Sequence, residues 1–216
     1  MTDAFTRLVA RDFIWGAING YGSILTVRII VDLPDAHSAL GALPEITPHL
    51  TITKRPGRDL YNQLRVLMDI LQLLEQAKGR INPDKHHFAG IVSPQESYRL
   101  WKNFPNAVLI DVRTRAELDW VGFIPEAWHL EWQTYPQHIR NDRFIDALRN
   151  KVAFDQLVMF ICRSGGRSAQ AATAATEQGL TSCYNVEFGF EGDLDAAHHR
   201  GLRNGWRHSG LPWQQS

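Results

Sequence analysis

Short apolar runs alternate with helical patterns from about Gly90 onward, and this alternation limits the possible folds more than any other feature. The strongest run, residues 156–161, has no polar side chain after its first position, which indicates a central strand covered on both faces. Four further strands are predicted at residues 90–92, 107–112, 126–130 and 183–186. Because strands that alternate with helices pair in parallel, the pattern predicts an α/β layered domain.

Helix signals lie between these strands. Ser93, Pro94 and Glu96 have the spacing of an N-cap serine, a first-turn proline and a capping-box glutamate. A helical pattern also covers residues 139–150. The clearest helix is predicted over the alanine-rich residues 168–178, because a glycine follows that segment.

The chain before Gly90 has a different character. A β-branched run at residues 25–31 predicts a strand, and a leucine stripe predicts a helix that begins near Asp59 and stops at Gly79. Residues 1 to about 67 contain no chemical motif and resemble no known domain.

The predicted organisation is an N-terminal extension at residues 1–67, a helix and linker at 68–89, and a catalytic domain at 90–216. One hypothesis is that Met68 is the natural start and that the extension is poorly ordered or not native. The leucine stripe argues against this hypothesis, because it continues upstream of Met68.

Composition excludes several classes of partner. The 23 basic and 23 acidic residues cancel, which argues against general binding to nucleic acid or to an anionic membrane. With only two cysteines, a disulfide framework is not expected and a reducing compartment fits better. Neither a signal peptide nor a membrane-length apolar run is evident, so we expect a soluble, cytoplasmic protein.

The chemical motif is the loop that follows the strongest strand, and it begins at Cys162. Ligands bind at the carboxyl ends of parallel strands, which is where Cys162 lies. Gly165 and Gly166 allow backbone N–H groups to point inward, and the next helix adds its free N-terminal donors. Arg163 and Arg167 add positive charge. The loop is therefore expected to stabilise a cysteine thiolate and, after reaction, a persulfide.

Several motifs together resemble the rhodanese family. They are Asp111-Val112-Arg113 with Arg115 and Glu117, Gly122-Phe123-Ile124-Pro125-Glu126-Ala127, Cys162 to Ser168, Asn185-Val186 before Gly189-Phe190, and the ending Gly205-Trp206 with Gly210 to Trp213. The resemblance covers about residues 90–214. Two residues depart from the family pattern, where Phe123 replaces His and Glu126 replaces Gly; both departures are expected to change only local packing or surface contacts.

The resemblance implies a rhodanese-like three-layer domain with a five-stranded parallel sheet flanked by helices. It implies transfer of sulfane sulfur from a small donor such as thiosulfate to a thiophilic acceptor such as cyanide or a thiol, a protein thiol included, without cofactor or metal. Cys162 would carry the persulfide. The cradle would comprise Arg163, Ser164, Gly165, Gly166, Arg167 and Ser168. Asp111 and Arg113 are expected to be structural, and Arg115 and Glu117 to be polar neighbours for which a surface ion pair is the simpler interpretation.

Two other functions compete with sulfur transfer. Cysteine phosphatases and arsenate reductases also hold a thiolate in an amide cradle, but their loop has one more residue between Cys and Arg than the four found between Cys162 and Arg167. The shorter loop favours a single sulfur over a tetrahedral oxyanion. A non-enzymatic binding or sulfur-relay module is the second alternative, and the presence of Cys162 with both loop arginines argues against it.

Overall fold

The computed structural model describes the backbone of residues 11–14, 26–29 and 58–215, and the side chains of residues 65–215. The chain divides into two compact units, residues 1–61 and 62–216. Within the described ranges, no helix combines the length and the apolar character needed to cross a membrane.

The described part of the first unit is a pair of antiparallel strands and the backbone of residues 58–61. Strand β1 (Arg11–Ile14) pairs antiparallel with β2 (Thr26–Ile29), which lies within the strand predicted from the sequence. Residues 1–10, 15–25 and 30–57 of the N-terminal extension lie outside the described residues. The hypothesis that Met68 is the natural start therefore stays a prediction.

The second unit is built on a five-stranded parallel sheet, as the sequence predicts. In chain order the strands of this unit are β3 (Gly90–Val92), β4 (Ala107–Asp111), β5 (Trp128–His129), β6 (Gln133–Thr134), β7 (Ile139–Arg140), β8 (Leu157–Ile161) and β9 (Cys183–Val186). The order in the sheet is β3-β9-β8-β4-β5, whereas β6 and β7 form a separate antiparallel pair. The apolar strand β8 is central, with β4 and β9 as its neighbours.

Helices cover both faces of this sheet and complete the three layers. They are α1 (Arg58–Gly79), α2 (Pro94–Asn103), α3 (Arg115–Val121), α4 (Phe144–Arg149) and α5 (Gly166–Glu177). Helices α4 and α5 share one apolar cluster with one face of the sheet, and α1 and α2 share a second cluster with the other face. Helix α2 begins with the predicted capping box.

Alternation along β8 decides which way the residue after it faces. Val158 and Phe160 belong to the cluster on the α5 side, whereas Met159 and Ile161 belong to the cluster on the opposite side. Cys162 continues this alternation and joins the α5 side. The strand thus directs the thiol beneath the N-terminus of α5.

The predicted helix at 139–150 is wrong in its first part. Ile139 and Arg140 form β7, and α4 begins only at Phe144. Asn141 explains the break: its N–H donates to the carbonyl of Trp132, and its side-chain oxygen accepts from the N–H of Arg143. An asparagine that bonds the backbone two residues on makes a turn and prevents the helix from extending upstream.

Candidate active site

Cys162 lies at the carboxyl edge of the sheet with its sulfur already in contact with hydrogen-bond donors. The Gly165 N–H and the Ser168 hydroxyl both lie 3.2 Å from Sγ. The residue is only 1% exposed. Gly165 reaches this position with a φ of 97°, in the left-handed region that favours glycine. The loop therefore folds back over the sulfur and brings two donors to it.

The other amides of this loop have no acceptors in the described part of the chain. Among the described residues, no backbone or side-chain acceptor takes the N–H groups of Arg163, Ser164, Gly166, Arg167 or Ser168. Three of these groups open α5, where the helix dipole places partial positive charge. Free amides in the loop that follows a thiol are available to hold negative charge on a sulfur.

The two loop arginines have different surroundings, which the sequence does not distinguish. Arg163 is exposed, and its side chain has no partner among the described residues. Arg167 is largely buried, and its guanidinium makes a bidentate ion pair with Glu117, at 2.8 Å and 2.6 Å. Arg167 therefore links α5 to α3, and its charge is balanced by Glu117.

Glu117 lies in the first turn of α3 and contacts both Arg167 and the residue that caps this helix, Thr114. Its carboxylate accepts the N–H of Thr114 at 2.9 Å, while the Thr114 hydroxyl caps the N–H of Glu117, which completes a capping box. Burial alone would raise the pKa of Glu117, but the hydrogen bonds from Arg167 and Thr114 and the charge of Arg167 lower it from 4.5 to about 2. The carboxylate thus stays charged at every ordinary pH.

This lowered pKa predicts how acid affects the domain. Because the pKa of Glu117 is lower in the folded chain, its stabilising contribution is complete above about pH 4.5 and is lost as the pH falls towards 2. We expect the difference in unfolding free energy between wild type and Glu117→Gln to be constant from pH 5 to 8 and to shrink below pH 4.5. Urea unfolding at several pH values measures it; a difference that grows on acidification would contradict this role.

Asp111 and Arg113, for which the family resemblance implies a structural role, form a buried ion pair. The shortest contact is 2.6 Å, and Arg113 is fully buried. Arg113 also donates to the carbonyl of Gly122 at 3.0 Å and stacks on Phe190, with 3.8 Å from guanidinium carbon to ring centre. The pair therefore ties the end of β4 to the turn after α3 and to the chain after β9.

Arg115 does not pair with Glu117. Its side chain is exposed and lies 2.9 Å from Asp119 in an i,i+4 pair on the surface of α3. Its backbone N–H donates to Glu131. Of the four polar candidates on this segment, Glu117 alone contacts the cysteine loop.

The chain after β9 holds the carbonyl side of the loop. The Phe190 N–H donates to the carbonyl of Cys162 at 2.7 Å, and the Glu191 N–H donates to that of Arg163 at 2.9 Å. Gly189 brings these donors close with a φ of 58°, and the nitrogen of Ser164 would lie 2.7 Å from a Cβ at this position. Only glycine leaves room for the loop here.

Replacing Gly189 with alanine is expected to lower stability by roughly 2–4 kcal/mol, since a Cβ would overlap the backbone of Cys162 and Arg163. Urea unfolding measures the effect. Gly201 offers a matched control, because its φ is 82° but nothing lies within 4 Å of a Cβ there. Equal losses for Gly189→Ala and Gly201→Ala would show that close packing against the loop is not the cause.

The two departures from the family pattern lie beside a cavity that Cys162 does not line. The cavity measures about 270 Å³, and Phe123 and Glu126 both line it. Glu126 has a φ of 66°, a strained conformation that the usual glycine adopts freely, and it pairs with Lys102 at 2.7 Å. The lining of this cavity includes neither Cys162 nor any residue of the loop 163–168.

Cys183 is a core residue. It is fully buried, and its thiol donates to the carbonyl of Leu180 at 3.1 Å. Burial raises the pKa of this thiol to about 12, although a hydrogen bond with Thr176 opposes the shift. Among the residues with described side chains, no group of three or more His, Cys, Asp or Glu is placed to hold a metal ion.

Sequence reasoning missed Thr114 and helix α3. The spacing of Thr114 and Glu117 is that of a capping box, which would have predicted the start of this helix. The pairing of Glu117 with Arg167 joins residues fifty positions apart, and no local pattern in the sequence indicates it.

Known proteins resemble this chain in sequence and in fold. The family model for the rhodanese-like domain matches residues 94–196. An uncharacterized RP600 homolog from Rickettsia rickettsii is 35% identical over 125 residues, which are 55% of this chain and 92% of that protein. The crystal structure of Rv0390 from M. tuberculosis is 43% identical, covers 60% of this chain and 99% of its own, and superposes with a TM-score of 0.55. The chain therefore belongs to the rhodanese-like domain family.

Proposed function

We propose that this protein is a sulfurtransferase that carries sulfane sulfur on Cys162. The observation that supports this proposal most strongly is the position of Sγ, which lies 3.2 Å from both the Gly165 N–H and the Ser168 hydroxyl, in a loop with further amides that have no acceptor among the described residues. Donors arranged in this way stabilise negative charge on the cysteine sulfur and on a second sulfur bonded to it.

In the first half-reaction the Cys162 thiolate attacks the outer sulfur of a donor such as thiosulfate. A bond forms between Sγ and that sulfur, the sulfur–sulfur bond of the donor breaks, and its electron pair leaves with sulfite. The free amides of the loop and the N-terminus of α5 hold the charge on the terminal sulfur of the persulfide.

In the second half-reaction a thiophilic acceptor attacks the terminal sulfur. With cyanide, a carbon–sulfur bond forms, the sulfur–sulfur bond of the persulfide breaks and thiocyanate leaves. The electron pair of the broken bond stays on Sγ, which regenerates the Cys162 thiolate. A small thiol or a protein thiol accepts the sulfur in the same way. No external oxidant or reductant is required, because both steps exchange one sulfur between nucleophiles.

Arg163 is the candidate for attracting anionic donors. Its guanidinium is exposed next to Cys162 and has no partner among the described residues. An exposed charge is screened by solvent and contributes little to breaking the sulfur–sulfur bond. We expect it to increase the rate at which anionic donors associate with the site.

The function is tested by comparing sulfur transfer with phosphate hydrolysis. We expect thiocyanate to form from thiosulfate and cyanide, and an aryl phosphate to remain intact under the same conditions. Substantial phosphate hydrolysis without thiocyanate would support the phosphatase alternative. Neither reaction, with a folded protein, would support a binding module.

A further inference from the structure

The pairing of Arg167 has a consequence for the anions that the loop accepts. An arginine with a free planar fork binds tetrahedral oxyanions through two parallel hydrogen bonds. In this protein both terminal nitrogens of Arg167 are directed to Glu117, at 2.8 Å and 2.6 Å. The loop thus contains an arginine in its first helical turn whose fork is already occupied.

The ion pair between Arg167 and Glu117 is largely buried, and Thr114 fixes the position of Glu117. The Arg167 and Glu117 side chains are only 17% and 19% exposed. Glu117 is fixed further by the N–H and hydroxyl of Thr114, at 2.9 Å and 3.0 Å.

Arg167 lies in the first turn of α5 between Gly165 and Ser168, both of which contact the Cys162 sulfur at 3.2 Å. Burial lowers the pKa of Arg167, but the hydrogen bond and charge of Glu117, with a smaller contribution from Cys162, raise it overall. A freed guanidinium would therefore be within electrostatic reach of the cradle.

We propose that Glu117 determines the anion selectivity of the loop: by occupying the fork of Arg167 it excludes tetrahedral oxyanions and leaves the amide cradle to a single sulfur. The exclusion of oxyanions follows from the ion pair alone, whereas the benefit for sulfur transfer rests on the proposed function. Glu117 acts through Arg167 and is a positioning residue. The short loop and the ion pair of Glu117 with Arg167 then both favour a single sulfur over a tetrahedral oxyanion.

Inorganic phosphate is the probe that tests this proposal. The amide signals of Gly165 and Gly166 are followed in ¹⁵N-labelled protein as phosphate is added at neutral pH. In Glu117→Gln we expect a saturable shift and phosphate binding about tenfold or more tighter than in wild type, since a charge-assisted bidentate contact becomes available. Glutamine is also a capping-box residue, so α3 keeps its N-terminal cap.

Two further variants separate the freed arginine from a general charge effect. Asp119→Asn removes a carboxylate from the same helix whose ion pair is with Arg115, and it should bind phosphate like wild type. Glu117→Gln with Arg167→Gln should lose the gained affinity. Equal phosphate affinity in all four proteins, or a gain that persists without Arg167, would overturn the proposal.

Two controls separate a loss of folding and a loss of sulfur transfer from the effect on phosphate binding. If Glu117→Gln loses the dispersed spectrum of a folded domain, Glu117→Asp replaces it, because the shorter side chain breaks the bidentate contact while it keeps the charge; the same gain is expected. Sulfur transfer from thiosulfate is measured on the same wild-type sample. If wild type transfers sulfur but binds phosphate as the Glu117 variant does, only this inference is wrong. If the variant binds phosphate more tightly but wild type transfers no sulfur, only the proposed function is wrong.

Discussion

Replacing Cys162 with alanine is expected to abolish sulfur transfer, with a loss of at least roughly 10⁴-fold, because no other group in the site can hold the sulfur covalently. The amides of the loop would remain, but they would face a methyl group that cannot attack a donor. Formation of thiocyanate from thiosulfate and cyanide measures the loss.

Cys183 provides the matched control. Both cysteines are buried and belong to the same apolar cluster, but the Cys183 thiol donates to the carbonyl of Leu180. Cys183→Ala should cost about 1 kcal/mol of stability through lost packing and leave the transfer rate near that of wild type. A Cys162→Ala protein with full activity, or a Cys183→Ala protein without it, would contradict the assignment of the nucleophile.

Replacing Asp111 with alanine is expected to have the largest effect on stability, about 3–5 kcal/mol. Asp111 accepts from the backbone N–H, Nε and Nη2 of Arg113, and Arg113 is fully buried. Without the carboxylate, a positive charge would remain in the core without its partner, which costs more than the pair contributes. The Arg113 Nη1 already lacks a hydrogen-bond acceptor among the described residues.

The exposed pair of Arg115 and Asp119 is the control for this change. Asp119→Ala removes a carboxylate from a solvent-exposed ion pair and should cost less than about 1 kcal/mol. The double variant Asp111→Ala with Arg113→Met should be more stable than Asp111→Ala alone, because it removes the uncompensated charge. Urea unfolding at neutral pH compares the variants; equal costs for Asp111→Ala and Asp119→Ala would show that burial of the charge does not matter.

The layered α/β architecture could be predicted from the sequence because a strand that is buried on both faces leaves a local pattern of apolar side chains. A strand covered on both faces must be apolar throughout, as Leu157–Ile161 is, and the loop after it must lie at the carboxyl edge. The position of Cys162 therefore follows from the chain order alone. The strands Gly90–Val92 and Cys183–Val186 are predicted with the bounds that the structure has.

The polar contacts of the site could not be predicted in this way. Arg167 and Glu117 meet only because β8 and β4 are neighbours in the sheet, which places the starts of α5 and α3 side by side. Likewise, the apolar spacing at residues 139–150 fits a helix, but the contact of Asn141 with Trp132 favours a turn. Such contacts depend on tertiary neighbours, to which periodicity is insensitive.

Mass spectrometry of the full chain after incubation with thiosulfate tests the central claim most directly. We predict a gain of one sulfur atom, which peptide analysis assigns to Cys162 and which cyanide removes as thiocyanate. Cys162→Ala should gain no sulfur, and Cys183→Ala should gain it as wild type does. An unchanged mass for the folded wild-type protein, or sulfur found on Cys183 instead, would contradict the role of Cys162 as the sulfur carrier.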